Sequence, residues 1–301
     1  MNTAGNNRSR AIVFSILGVI CGFLSNAYAG EYVRVSTDLE IYYEEAGSGA
    51  PIVFIPGWTA TTEYMRQQID HFSDRYRAIV YDPRSQGRSS KTLENNNYTQ
   101  HGADLRALME ALGLEDVVLV GHSTGCADAY AYFRAYGTDN VKAFVCIDQP
   151  PKRIIEHEGD WGAVRTASDL KAFHDSVIYD RLTWAHNFQQ SMVTRPLTDE
   201  ENNWLVDVSM KTPTYAAISL FFDSQMADYT AEAKMIDGTI PVLNVLADQA
   251  GWSEQGKAWL SENAPNSEVE VFGLHLMFWE FPDRFNAAVD AFLETAEGTL
   301  E

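Results

Sequence analysis

Three observations predict a sheet of mostly parallel strands with helices on both faces, interrupted by an all-helical insertion. Strand-like apolar runs alternate with helical spacings three times between residues 52 and 147, the signature of a parallel α/β sheet, whose active site is expected at the carboxyl ends of the strands. The stretch Val117-Val-Leu-Val-Gly-His-Ser-Thr-Gly125 passes from a strand fit for burial on both faces directly into a glycine-flanked serine and a helix. From Pro150 to about Ala227 no strand pattern occurs, and four helical spacings follow one another. With 301 residues and 46% hydrophobic content the chain can bury one large core. No internal repeat or low-complexity linker divides it.

The first 29 residues read as a secretory signal peptide. Arg8 and Arg10 precede the apolar run Ala11 to Leu24, and Ala27-Tyr28-Ala29 offers small residues for cleavage. The run is shorter than the ~20 residues a membrane span needs, and Gly18-Val19-Ile20 before Cys21 lacks a lipoprotein pattern. A secreted or periplasmic protein is expected. Cleavage would take the formal charge from -20 to -22, because two arginines and no acid are lost. Such a surface repels phosphates and anionic headgroups, so nucleic acid is a poor partner.

Tyr32 to Val35 and Leu39 to Glu45 read as antiparallel edge strands, and Ile52 to Ile55 as the first buried one. Pro56-Gly57-Trp58 ends that strand, and the Trp58 N–H is a candidate to bind an oxyanion above the sheet. A helical spacing over Thr61 to Phe72 leads to the strand Ala78 to Tyr81 and the loop Asp82-Pro-Arg-Ser-Gln-Gly-Arg-Ser89, whose Asp82 and Arg84 read as loop-fixing residues. Gln100 to Leu112 carries a helical apolar face closed by Gly113, and Asn97-Tyr-Thr99 before it fits a glycosylation acceptor, relevant in a eukaryotic host.

Gly121 and Gly125 stand two residues on either side of Ser123. Without Cβ atoms there, strand and helix can close on a sharp turn that pushes the Ser123 hydroxyl out at the end of the strand, and Ser123 is the predicted nucleophile. Ala127 to Tyr136 follows as a helix, and Val141 to Ile147 as a strand that delivers Asp148.

The insertion, residues 150–227, reads as a cap with helices over Asp169 to Tyr179, Arg181 to Ser191, Thr198 to Met210 and Tyr215 to Met226. Most of its aromatics, among them Trp161, Phe173, Trp184, Phe188 and Phe221, are expected to pack the cap helices, with a few lining an apolar pocket. The core, residues 30–149 and 228–301, resumes with the strand Val242 to Ala247, a helix over Ser253 to Glu262, the strand Ser267 to Phe272 with His275 just beyond it, and a last helix from Asp283 to Thr295. Cys126 and Cys146 are expected to pack as free thiols. No Cys or His pair shows metal-ligand spacing.

In order and content, Pro-Gly-Trp58, Asp-Pro-Arg-Ser-Gln-Gly-Arg-Ser89, Gly-His-Ser123-Thr-Gly and Gly273-Leu-His275 make the mature chain resemble the α/β-hydrolase superfamily nearly end to end. Gly-His-Ser-Thr-Gly followed by Tyr132 to Val145 is similar to the branch of cofactor-free haloperoxidases, perhydrolases and small esterases. The resemblance implies an eight-stranded core, a cap after the sixth strand, and a Ser, acid, His triad with His275 as general base. The chain departs from the family at the acid. Ala250 falls where most members carry it, so the role passes to Asp148, favoured, or to Asp248 with a shifted loop. The oxyanion donors would be the Trp58 and Thr124 amides, with no metal or organic cofactor. The expected function is hydrolysis of a small, largely apolar ester or lactone through an acyl-enzyme. A perhydrolase or haloperoxidase using the same residues, and a ligand-binding protein with little turnover, are the alternatives.

Overall fold

The computed structural model describes Met1 and residues 30–300, with side chains to residue 296, and the expected leader therefore lies, apart from Met1, outside the described residues. Branched and aromatic runs form β1 (Glu31–Arg34), β2 (Glu40–Ala46), β3 (Pro51–Ile55), β4 (Arg77–Tyr81), β5 (Val117–His122), β6 (Val141–Ile147), β7 (Val242–Leu246) and β8 (Glu268–Val271). They make one sheet in the order β1-β2-β4-β3-β5-β6-β7-β8. β2 runs antiparallel to both β1 and β4, and every other pair is parallel. β5 and β7 are buried throughout, whereas the edge strand β8 alternates between exposed and half-buried, as a sheet covered only at its centre requires.

Both faces carry helices: α1 (Arg66–Phe72), α2 (Tyr98–Ala111), α3 (Thr124–Tyr136), α4 (Ala167–Tyr179), α5 (Arg181–Ser191), α6 (Asp199–Met210), α7 (Thr214–Met226), α8 (Thr230–Asp237), α9 (Trp252–Asn263), α10 (Met277–Glu280) and α11 (Pro282–Leu300). Strand alternation sorts the core into two layers. Val53, Ile55, Ile79 and Leu119 cluster with residues of α2, α3, α8 and α9, while Ile52, Phe54, Val80, Val118 and Val120 cluster with residues of α1 and α11.

Caps account for several shifted boundaries. α2 starts two residues before its expected Gln100 because the Asn97 side chain accepts the Gln100 N–H at 2.9 Å. Thr166 and Asp169 form a reciprocal capping box that starts α4 at Ala167. Helices α4 to α7 lie between β6 and β7, where the insertion was expected, and α8 was not foreseen; it contributes Ala233 and Ile236 to the α3 side of the core. Two isolated bridges, Lys152 to Asp228 and Ile154 to Val164, stand where no strand pairing was read. Cys126 and Cys146 are buried free thiols. Among the described residues no helix is long and apolar enough to cross a membrane.

Candidate active site

The turn after β5 is held in a conformation that L residues avoid. Ser123 has φ 53° and ψ -125°, at a cost on the order of 1–3 kcal/mol that surrounding contacts must offset. Its N–H donates to Ile147 O at 2.8 Å, and its carbonyl accepts the Cys126 N–H at 2.9 Å. The flanking glycines are explained by what a Cβ would meet: at Gly121 the Cys126 nitrogen at 2.7 Å, and at Gly125 the Ile55 carbonyl oxygen at 2.2 Å. A Cβ at Gly121 would push α3 off the end of β5, and one at Gly125 would push it off β3.

Across the end of the sheet, β6 delivers Asp148, also at positive φ (53°), with its N–H donating to Val245 O at 2.8 Å. Its Oδ1 accepts from the Ala247 N–H at 2.9 Å and from Trp252 Nε1–H at 2.6 Å, and its Oδ2 lies 2.6 Å from His275 Nδ1. Burial pushes the Asp148 carboxyl up, but His275 and the two donors outweigh it and hold it below the usual carboxylate range. A carboxylate can only accept, so His275 Nδ1 carries the proton and Nε2 is the basic nitrogen. Asp248, the alternative acid, is exposed, and its side chain has no hydrogen bond or ion pair among the described residues.

His122, not singled out from the sequence, steadies the imidazole from below. Its Nε2–H donates to the His275 carbonyl at 3.0 Å, and the two rings lie 4.7 Å apart. Burial, with His275 beside it, holds its pKa far below the ordinary value, so this ring is neutral. Nothing in local sequence marks that role, nor the Trp252 indole as a donor to Asp148.

The two residues whose amides were named from the sequence line the same cavity as Ser123. Thr124 opens α3, where N–H groups have no intrahelical acceptor, and Trp58 N has no hydrogen bond among the described residues. The Asp82–Ser89 loop fixes the turn that carries Trp58: Gln86 Oε1 accepts the Thr59 N–H at 2.6 Å, and its Nε2 donates to Gly57 O at 3.3 Å. Asp82 in turn accepts from the Thr62 and Arg88 amides, and Arg84 grips Asp104 with two bonds of 2.7 and 2.9 Å.

Ser123, Thr124, Trp58, Asp148 and His275 all line one cavity of about 330 Å³ between sheet and cap. Of the cap aromatics, Phe173, Phe188 and Phe221 line it; Phe173 and Phe221 stack with centroids 3.5 Å apart, and the Trp58 ring packs against all three. Trp58 Nε1–H donates to Ala217 O at 2.7 Å and so ties that wall to α7. Trp161 packs on Trp252 instead, and Tyr179 is exposed. Arg153 and Gln225 also line the cavity, and neither was marked by local pattern.

The chain is similar to a non-heme chloroperoxidase of Streptomyces lividans, at 25% identity over 281 residues covering 87% of this chain and 99% of that protein. It is 28% identical over 132 residues to a bifunctional esterase/perhydrolase of Acinetobacter calcoaceticus, a match covering 43% of this chain and 48% of that one. Among solved structures, a bromoperoxidase from Bacillus anthracis superposes with a TM-score of 0.81 at 27% identity, covering 88% of this chain and 100% of the other. The family model for the alpha/beta hydrolase fold matches residues 50–282. With more than half its length inside that match, the chain belongs to the α/β-hydrolase fold family and is a hydrolase of that fold.

Proposed function

We propose that the protein hydrolyses small, largely apolar carboxylic esters or lactones through an acyl-enzyme. The observation that carries this reading is one juxtaposition: Ser123, on its strained turn, shares a cavity with His275, whose Nδ1 lies 2.6 Å from the Asp148 carboxylate. His275 Nε2 takes the Ser123 proton as Oγ bonds to the substrate carbonyl carbon, and returns it to the leaving alkoxide as the ester C–O bond breaks. The Trp58 and Thr124 amides bind the oxyanion between those events. Water, deprotonated by the same nitrogen, then cleaves the acyl-serine. A cavity of about 330 Å³ walled by phenyl rings suits a short acyl or aryl group.

Relatives named for haloperoxidase and perhydrolase activity support a second reading, in which hydrogen peroxide replaces water as the deacylating nucleophile. One experiment addresses both: turnover of 4-nitrophenyl esters of increasing acyl length and of simple lactones, with and without peroxide. Ser123→Ala is expected to lower ester turnover by about 10⁴ or more. Wild-type rates in that variant would remove the mechanism, and peracid formation outpacing hydrolysis would favour the second reading.

A further inference from the structure

Among the described residues lining the cavity, Arg153 is the one lysine or arginine. Its Nε–H donates to Gln225 Oε1 at 3.0 Å, and its two terminal nitrogens have neither an acceptor nor an ion pair among the described residues. Arg181, also in the cap and without a carboxylate, shows what a structural guanidinium looks like: it donates to Thr212 O at 2.7 Å, Ser209 O at 2.9 Å and Thr214 Oγ1 at 3.2 Å. Asp148, nearby, attracts Arg153 through space but makes no hydrogen bond or ion pair with it, its oxygens accepting instead from His275, Ala247 and Trp252.

The fork is nonetheless held in place. Arg153 O accepts the Ala163 and Val164 N–H groups at 3.0 Å each, and Gln225 is oriented by donating from Nε2 to Ser224 Oγ at 2.9 Å. Arg153 is half-buried at the cavity wall, and burial pushes its guanidinium's pKa down despite Asp148 nearby, so an anion entering the cavity would gain from pairing with it. The end of the fork that stays open, two parallel N–H groups, matches a carboxylate. In a chain of net charge -20, a cation without a salt bridge in the cavity that holds the predicted nucleophile stands out.

We propose that Arg153 binds a carboxylate carried by the substrate, so that the preferred substrate is an ester or lactone bearing a free acid group, its apolar part lying along Phe173 and Phe221. This rests on the hydrolase reading above. The test compares mono-4-nitrophenyl glutarate with its neutral methyl ester. In the wild type kcat/KM should favour the acid by tenfold or more. In Arg153→Gln that ratio should fall by about 10- to 100-fold, mainly through KM, and Arg153→Lys should retain part of it. Because the ratio is internal to each protein, a poorly folded fraction does not disturb it.

An unchanged ratio in Arg153→Gln, or no wild-type preference for the acid while the neutral ester is turned over, overturns the proposal and leaves the hydrolase reading intact. If neither ester is turned over, the hydrolase reading falls. The carboxylate site is then judged by glutarate quenching of the fluorescence of Trp58 and Trp252, which line the same cavity. Saturable quenching in the wild type alone supports it, and identical curves in wild type and Arg153→Gln sink it.

Discussion

Two histidine–aspartate pairs, one at the cavity and one in the core between α2 and α3, behave differently. In the first, His275 and Asp148 meet at 2.6 Å with the imidazole 23% exposed at the cavity; in the second, His101 and Asp128 meet at 3.1 Å with both side chains at most 2% exposed, in the core between α2 and α3. Asp148 accepts two further N–H bonds and its carboxyl is held low, whereas Asp128 Oδ2 and His101 Nε2 have no partner. Burial pushes Asp128 up, against the opposing pull of His101. A histidine beside a carboxylate is therefore not by itself a site. What distinguishes the first pair is a full set of donors on the acid and an open nitrogen on the base.

The largest expected effect lies at Asp148. Asp148→Asn should lower kcat on a 4-nitrophenyl ester by on the order of 10³ to 10⁴, because an amide at that point favours the wrong imidazole tautomer. Asp248→Asn should stay within about twofold in the same assay. The reverse result would hand the acid's role to Asp248.

At the buried pair the expected loss is in stability. Asp128→Ala leaves His101 without its counter-charge in the core and should cost about 3–5 kcal/mol in urea unfolding, with kcat per titrated active site changing by less than about tenfold. A collapse of kcat in folded protein would mean that the two pairs are coupled through α3.

The smallest effect is in pH dependence, where the pairs should have opposite signs. Asp148 has a lowered folded pKa, so its stabilisation is present above the unfolded value of about 3.9 and is lost as pH falls through the folded one. The stability gap between wild type and Asp148→Asn should therefore narrow below about pH 4. His101 has a raised folded pKa, to which Asp128 contributes against burial, so its stabilisation is complete below about 6.5 and declines as pH rises. The gap between wild type and His101→Gln should narrow in that direction. Parallel trends would show that the two acids do not differ as described.

Much of this was legible along the chain. Runs of branched residues and helical spacings are local properties, and β3 to β7 and α3 to α7 stand within a few residues of where those periodicities predict them. Ser123 and Asp148 stood out as candidates because each follows directly on a strand whose end the pattern marks, and His275 because it lies shortly past the end of β8; in a parallel sheet such ends converge. The surplus helix α8 and the single turn α10 were not, being too short for a spacing to declare itself.

The layered sheet, the sharp serine turn and the short list of residues that could gather above it all follow from patterns local in the chain. Only tertiary structure decided which carboxylate meets His275, because Asp148 and Asp248 follow adjacent parallel strands and local pattern treats them alike. It also decided that Trp252 would donate to that acid, that Phe173 and Phe221 rather than Trp161 would face the cavity, and that Arg153 would stand there without a salt bridge. Those are contacts between segments up to 127 residues apart, fixed by how the sheet, its helices and the cap pack together, and no periodicity within a segment encodes them.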